Sequence, residues 1–159
     1  MKPRVSSGSS GKLRYTEKEI ILATNMIKEM EDALDLMFYL MDHSSENSFV
    51  LMLITAEDVA LKKLLENEKR NTDIVYTVNE EENVYAMICQ ETKVDGGYRF
   101  AERIIRHIRL DEGKDIYCSE IEVRTSKYTP KDIIFRVLDG FVQARKAGKS
   151  GEIVFKSVY

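Results

Sequence analysis

Lys69 to Gln90 reads KRNTDIVYTVNEEENVYAMICQ. Two runs rich in β-branched and aromatic residues, Ile74 to Val78 and Val84 to Cys89, flank the acidic turn Asn79-Glu80-Glu81-Glu82-Asn83. This pattern predicts a β-hairpin. The turn holds three consecutive glutamates and no glycine. Directly ahead of it stands Arg70-Asn71-Thr72-Asp73, a small charged fork.

Outward from the hairpin, the chain alternates between the two periodicities. On the N-terminal side, Ala56 to Lys69 reads as a helix with Val59, Leu61, Leu64 and Leu65 inward. Glu57 and Asp58 fit its first turn. The apolar run Phe49 to Ile54 is a buried central strand. Thr16 is the N-cap of a long helix over residues 16–43, with Glu17 and Glu19 in its first turn. Ile20, Ala23, Ile27, Met30, Leu34, Met37 and Met41 follow a heptad-like spacing. That helix either packs on its own domain or serves as a dimerising stalk. On the C-terminal side, a helix is expected from Tyr98 to Leu110, after the Gly96-Gly97 break. A strand is expected over Ile116 to Val123. Thr129-Pro130 opens a last helix that Gly148 ends. Glu152 to Val158 is the final strand. Residues 1–14, with Ser6-Ser7-Gly8-Ser9-Ser10-Gly11, have the composition of a flexible linker or tag. Residues 15–159 form one domain.

The expected class is therefore α+β. It is a ferredoxin-like or palm β-α-β-β-α-β core with a long N-terminal helix, its helices covering one face of a mostly antiparallel sheet.

With 159 residues, 43% hydrophobic and 32% charged, the chain suits one soluble core. A net charge of -3 argues against binding a nucleic acid polymer, which needs a basic surface. Cys89 and Cys118 fall in predicted strands and read as buried apolar residues of a reducing compartment. His43 and His107 lack ligand spacing, so no metal site is expected. No apolar run reaches membrane-span length, and the N-terminus lacks a signal-peptide core. The expectation is a cytoplasmic chain without membrane insertion, or the cytosolic part of a larger membrane-associated protein.

Four segments together resemble the GGDEF domain of diguanylate cyclases. Tyr98-Arg99-Phe100-Ala101-Glu102-Arg103-Ile104 is similar to the helix after the signature hairpin. Ser119-Glu120-Ile121-Glu122-Val123 stands in the place of a serine-containing strand. Thr129-Pro130-Lys131-Asp132, then Val142-Gln143-Ala144-Arg145-Lys146-Ala147-Gly148-Lys149, resembles the last helix and its glycine exit. By this resemblance, Asn79-Glu80-Glu81-Glu82-Asn83 occupies the signature turn. Both glycines that let the backbone approach substrate phosphates are gone. The metal-binding Asp at the end of the first strand is replaced within Leu53-Ile54-Thr55-Ala56. The segment that would hold the guanine is too short. Two-metal phosphoryl transfer then lacks its parts. The resemblance implies no catalytic residues, no metal and no cofactor.

The same resemblance gives the fork a role. Arg70 and Asp73 occupy the inhibitory product-binding site of the family, which takes cyclic di-GMP. Arg136-Val137-Leu138-Asp139 also fits Arg-x-x-Asp, but only the first lies at the family's interval before the turn. An Arg can fork onto guanine O6 and N7, and an Asp can accept from the guanine donors. Arg99, Arg103 and Arg106 share one helix face and could meet phosphates. Arg103 matches the family position that completes the site, and Arg99 lies one turn earlier. The expected ligand residues are Arg70, Asp73, Arg103 and Arg99. The alternative is a solvated arginine face beside Glu102 and Asp95, with Arg70 and Asp73 merely pairing locally. The whole is similar to degenerate, PelD-type cyclic di-GMP receptors that control exopolysaccharide and biofilm output. Such a receptor implies a protein partner in a secretion or signalling complex, and here a homodimer through the N-terminal helix. The competing functions are a ligand-free interaction or dimerisation module and a residual nucleotide enzyme.

Overall fold

The computed structural model describes residues 15–44, 48–109 and 115–158. The expected linker over residues 1–14 lies outside them. Helix α1 spans Glu17–His43. Its start follows from a capping box: Thr16 accepts from the Glu19 amide, and Glu19 accepts from the Thr16 amide. Leu22, Met26, Met30, Leu34 and Met37 form its buried stripe. The helix therefore packs on its own domain along most of its length. Ile20, a member of the expected heptad, is instead 51% exposed.

Strand β1 (Phe49–Ala56) is central in a five-stranded sheet. Helix α2 (Leu61–Glu68), the hairpin strands β2 (Asp73–Asn79) and β3 (Val84–Gln90), and helix α3 (Val94–Arg109) follow. Then come β4 (Ile116–Val123), α4 (Pro130–Lys146) and β5 (Ile153–Val158). The strand order is β2-β3-β1-β4-β5. The first three pairings are antiparallel, and β4–β5 is parallel. The expected α+β palm-like core with a long N-terminal helix is present.

The helices do not lie on one face, as expected from sequence; they cover both. Phe49, Leu51 and Leu53 face α1 and α4. Val50, Met52 and Ile54 face α2 and α3. The physical reason is in β1 itself: successive side chains point to opposite faces, and all of Phe49 to Ile54 are apolar, so both faces need cover.

Two helix starts also differ from expectation. Helix α2 begins at Leu61, and Glu57 and Asp58 lie in the loop before it. Asp58 has φ 47°, which a right-handed helix does not admit. The Glu57 amide donates to the Asp115 carbonyl, which ties the loop to the start of β4. Helix α3 starts at Val94, ahead of Gly96-Gly97. A Cβ on Gly97 would stand 3.1 and 3.2 Å from the Val50 methyls, so this glycine permits close approach to β1 rather than breaking the helix. The buried Glu122 carboxylate accepts from the Val94 amide at 3.0 Å, an anion at a helix N-terminus.

Candidate functional site

Arg70 and Asp73 sit where α2 hands over to β2. The Asp73 carboxylate is almost wholly buried and accepts from Arg70 Nε at 3.1 Å, Nη2 at 2.7 Å and the Arg70 amide at 2.9 Å. Arg70 Nη2 also donates to the Gln90 carbonyl and to Thr92 Oγ1, at 2.7 and 2.6 Å. The fork is thus a finished local pair, braced against the exit of β3. Half of the Arg70 side chain remains open to solvent, 53% by area.

Helix α3 supplies the other cations. Arg103 Nε donates to Glu68 Oε1 at 3.0 Å, and its guanidinium lies over the Phe100 ring at 5.2 Å. Since Glu68 is two residues before Arg70, this pair brings Arg103 to the same end of α2 as the fork. His107 Nε2 stands 3.8 Å from the second Glu68 oxygen. Arg99 is exposed and is not brought into contact with the fork among the described residues. Glu102 and Asp95 form no ion pair with these arginines among the described residues. The rival Arg136 lies over Tyr128, while Asp139 accepts from Tyr15 and Gln143. Thr92, Gln90, Glu68 and His107 were not readable as site residues. Only the spacing of Arg103 and His107 at i and i+4 could have signalled a shared partner.

The hairpin turn is more than a solvated tip. Glu80 and Glu81 are exposed, but Asn83 takes φ 58°. Asn tolerates that left-handed geometry, which explains a tight turn without glycine. Asn83 Nδ2 donates to the Ala56 and Val59 carbonyls at 2.7 and 2.9 Å, and Asn79 Oδ1 accepts from the Glu82 amide. Thr55 Oγ1 shares its hydrogen between the Glu82 and Asn83 carbonyls, at 3.0 and 2.9 Å. The turn is thereby fastened to the β1–α2 loop. Between them opens a cleft of about 550 Å³ whose acidic lining is Glu57, Asp58, Glu80, Glu81 and Glu82. Among the described residues, no three acidic, cysteine or histidine side chains converge closely enough to hold a metal ion.

Cys89 and Cys118 are free and buried, as expected. Burial pushes both thiols well above their usual range. Beside them, Glu120 is buried on β4 with neither carboxylate oxygen partnered among the described residues, and burial raises its pKa well above the ordinary carboxyl range. Among the described residues, no helix is long and apolar enough to cross a membrane.

Solved structures share this architecture. The coiled coil and GGDEF domain of DgcB from Caulobacter crescentus, in complex with c-di-GMP, matches 80% of this chain and 79% of its own at 11% identity, with a TM-score of 0.67. The active GGEEF domain of a diguanylate cyclase from Vibrio cholerae matches at 11% identity and TM-score 0.67, over 80% of this chain and 94% of that one. The diguanylate cyclase SiaD from Pseudomonas aeruginosa, in complex with its activator SiaC, matches at 14% identity and TM-score 0.67, over 80% of this chain and 57% of that one. No family model matches the sequence, and neither does any curated protein. At these identities the likeness is one of fold: the chain has a GGDEF-like α+β fold.

Proposed function

We propose that this chain is a cyclic di-GMP receptor: a GGDEF-like domain without catalytic activity that keeps an Arg-x-x-Asp ligand site. The observation that carries the reading is the fork itself. Arg70 and Asp73 are held as a rigid pair at the entry to β2, and Arg103 is drawn to the same end of the fold through Glu68. In this reading Arg70 presents its open edge to a guanine, and Asp73 sets the guanidinium in place. Arg103, with Arg99 one turn away, meets the phosphates.

Inactivity is supported by the cleft at the hairpin. Thr55 and Ala56 end β1 without a carboxylate there, and the turn carries side chains where phosphates would need bare backbone. The chain would then act by shifting a protein contact when ligand binds, within a polysaccharide-secretion or signalling complex. Equilibrium dialysis against cyclic di-GMP, with cyclic di-AMP as control, tests the receptor. Incubation with GTP and magnesium or manganese tests inactivity: the account expects retention of cyclic di-GMP and no product.

One observation favours a second reading. Ile21, Leu36 and Tyr39 of α1 are large apolar residues left 45 to 57% exposed. A ligand-free interaction or dimerisation module would use this outer side of α1. It predicts assembly without any nucleotide retention.

A further inference from the structure

Glu68 is placed unusually for a residue at a helix end. Its two carboxylate oxygens are divided between two nitrogen-bearing side chains of α3: Oε1 faces Arg103 Nε at 3.0 Å, and Oε2 faces His107 Nε2 at 3.8 Å. Arg103 and His107 are one helical turn apart, so they present their nitrogens side by side. Arg103 Nη2 also reaches the Glu68 carbonyl at 3.4 Å, and its guanidinium rests on Phe100. Those two contacts hold the guanidinium whether or not the carboxylate is present.

The arrangement is a clamp of one arginine and one histidine whose present occupant is a tethered carboxylate. None of its members is deeply buried: Arg103, His107 and Glu68 are 45%, 48% and 27% exposed. An ion pair so exposed is worth little, about 0 to 1 kcal/mol, and yields readily to a stronger anion. Phosphoryl oxygens match a guanidinium in the same way as a carboxylate and carry more charge. Beside the clamp, the α2–α3 interface opens into a groove of about 270 Å³, lined among others by Lys63, Leu64, Asn67 and His107. Lys63 and Asn67 thus offer a cation and an amide in the groove on the His107 side, with room for part of a ligand.

We propose that Arg103 and His107, at the edge of the α2–α3 groove, form a phosphoryl-anion site in which Glu68 is the built-in placeholder, displaced on binding. Glu68 thereby sets a threshold: ligand must outcompete a carboxylate that is always present. That the natural anion belongs to a cyclic dinucleotide rests on the receptor reading; the clamp and its placeholder rest on the geometry alone.

The test is a titration of inorganic pyrophosphate, and separately of cyclic di-GMP, into the full chain. Wild type is compared with Glu68→Gln, His107→Gln and the double variant Glu68→Gln/Arg103→Ala. NMR follows the His107 ring and the α3 amides, and thermal melts confirm folding. Glu68→Gln keeps the shape and removes the charge. It is expected to bind pyrophosphate about 3- to 5-fold more tightly than wild type, the size of an exposed ion pair. The double variant loses the gain, and His107→Gln weakens binding. Equal pyrophosphate affinity in wild type and Glu68→Gln, or shifts that bypass His107, would overturn the proposal. The two readings separate cleanly. Tighter pyrophosphate binding without any cyclic di-GMP binding keeps the clamp and removes the receptor. Cyclic di-GMP binding that is indifferent to Glu68, with pyrophosphate equally indifferent, keeps the receptor and removes the placeholder.

Discussion

Arg70 Nη2 lies 2.7 Å from Asp73 Oδ1, and the two side chains differ sharply in exposure, 53% against 2%. Asp73 is a buried charge whose side-chain partner is Arg70, and Arg70 is an exposed cation that Asp73 orients. In the proposed ligand site their roles would therefore be unequal: Arg70 would touch the ligand and Asp73 would position Arg70.

The pair also carries stability. Arg70→Ala leaves the Asp73 carboxylate buried with only the residue-70 amide as a described partner. An unpaired buried group costs about 1–3 kcal/mol, more when charged. Urea unfolding should show at least that loss for Arg70→Ala. Arg103→Ala removes only half-exposed contacts, with Glu68 and over Phe100, and should stay within about 1 kcal/mol of wild type.

Gly140 is where α4 meets β4. A Cβ there would stand 2.6 Å from Ser119 Oγ and 3.2 Å from Val154 Cγ1. Both neighbours belong to the sheet, so the clash is against a packed layer. Gly140→Ala should destabilise by about 1–3 kcal/mol, as overpacking does. Removing the hydroxyl in Gly140→Ala/Ser119→Ala should return part of it in the same unfolding measurement.

Glu120 makes stability depend on pH. Its folded pKa is raised well above the ordinary 4.5 by burial. Well below pH 4.5, both the folded and the unfolded carboxyl hold the proton, and no penalty arises. Between 4.5 and the raised folded value, the native state keeps a proton that the unfolded chain has released. Stability therefore falls as pH rises through that window. In unfolding curves taken from mildly acidic to alkaline pH, Glu120→Gln and Glu120→Met should flatten this slope. Glu120→Met should also be more stable than wild type at neutral pH, because it fills the site without a polar group.

Helix α1 separates packing from any stalk role. Leu34 is fully buried, whereas Leu36 is 56% exposed. Leu34→Ala should cost about 2–5 kcal/mol. Leu36→Ala should fall within about 0.5 kcal/mol of wild type. Equal costs at both positions, measured on the same chain, would mean that α1 is buried on both sides.

Much of this fold was legible in the sequence because local chemistry and tertiary structure agree. Thr16 and Thr129 both form the capping boxes that their Glu19 and Asp132 partners announce. The apolar run of β1 fixed the centre of the sheet. The one-face expectation failed on β1 itself, whose all-apolar alternation already calls for cover on both faces, whereas the misplaced helix starts trace to contacts between segments distant in sequence. Gly96-Gly97 looked like a helix break because the approach of Val50 is invisible in a string. Glu57 and Asp58 looked helical because the tie of Glu57 to Asp115, which holds this loop, is long-range. At the candidate site, Arg70, Asp73 and Arg103 are singled out by type and position. Glu68 and Thr92, which hold them, carry no local signal, since each partnership depends on how α2, α3 and the exit of β3 meet.

Whether Arg70 and Arg103 bind cyclic di-GMP is decided by calorimetric titration of the ligand into the chain. The account predicts saturable heat with the wild-type chain and a loss of about 10- to 100-fold in affinity for Arg103→Ala and for Arg70→Ala, the size of a lost charge-assisted contact. With the Arg103→Ala fold checked by urea unfolding, its loss of affinity reports on binding alone. No heat at high ligand with folded wild-type protein, or unchanged affinity in both variants, would contradict the account.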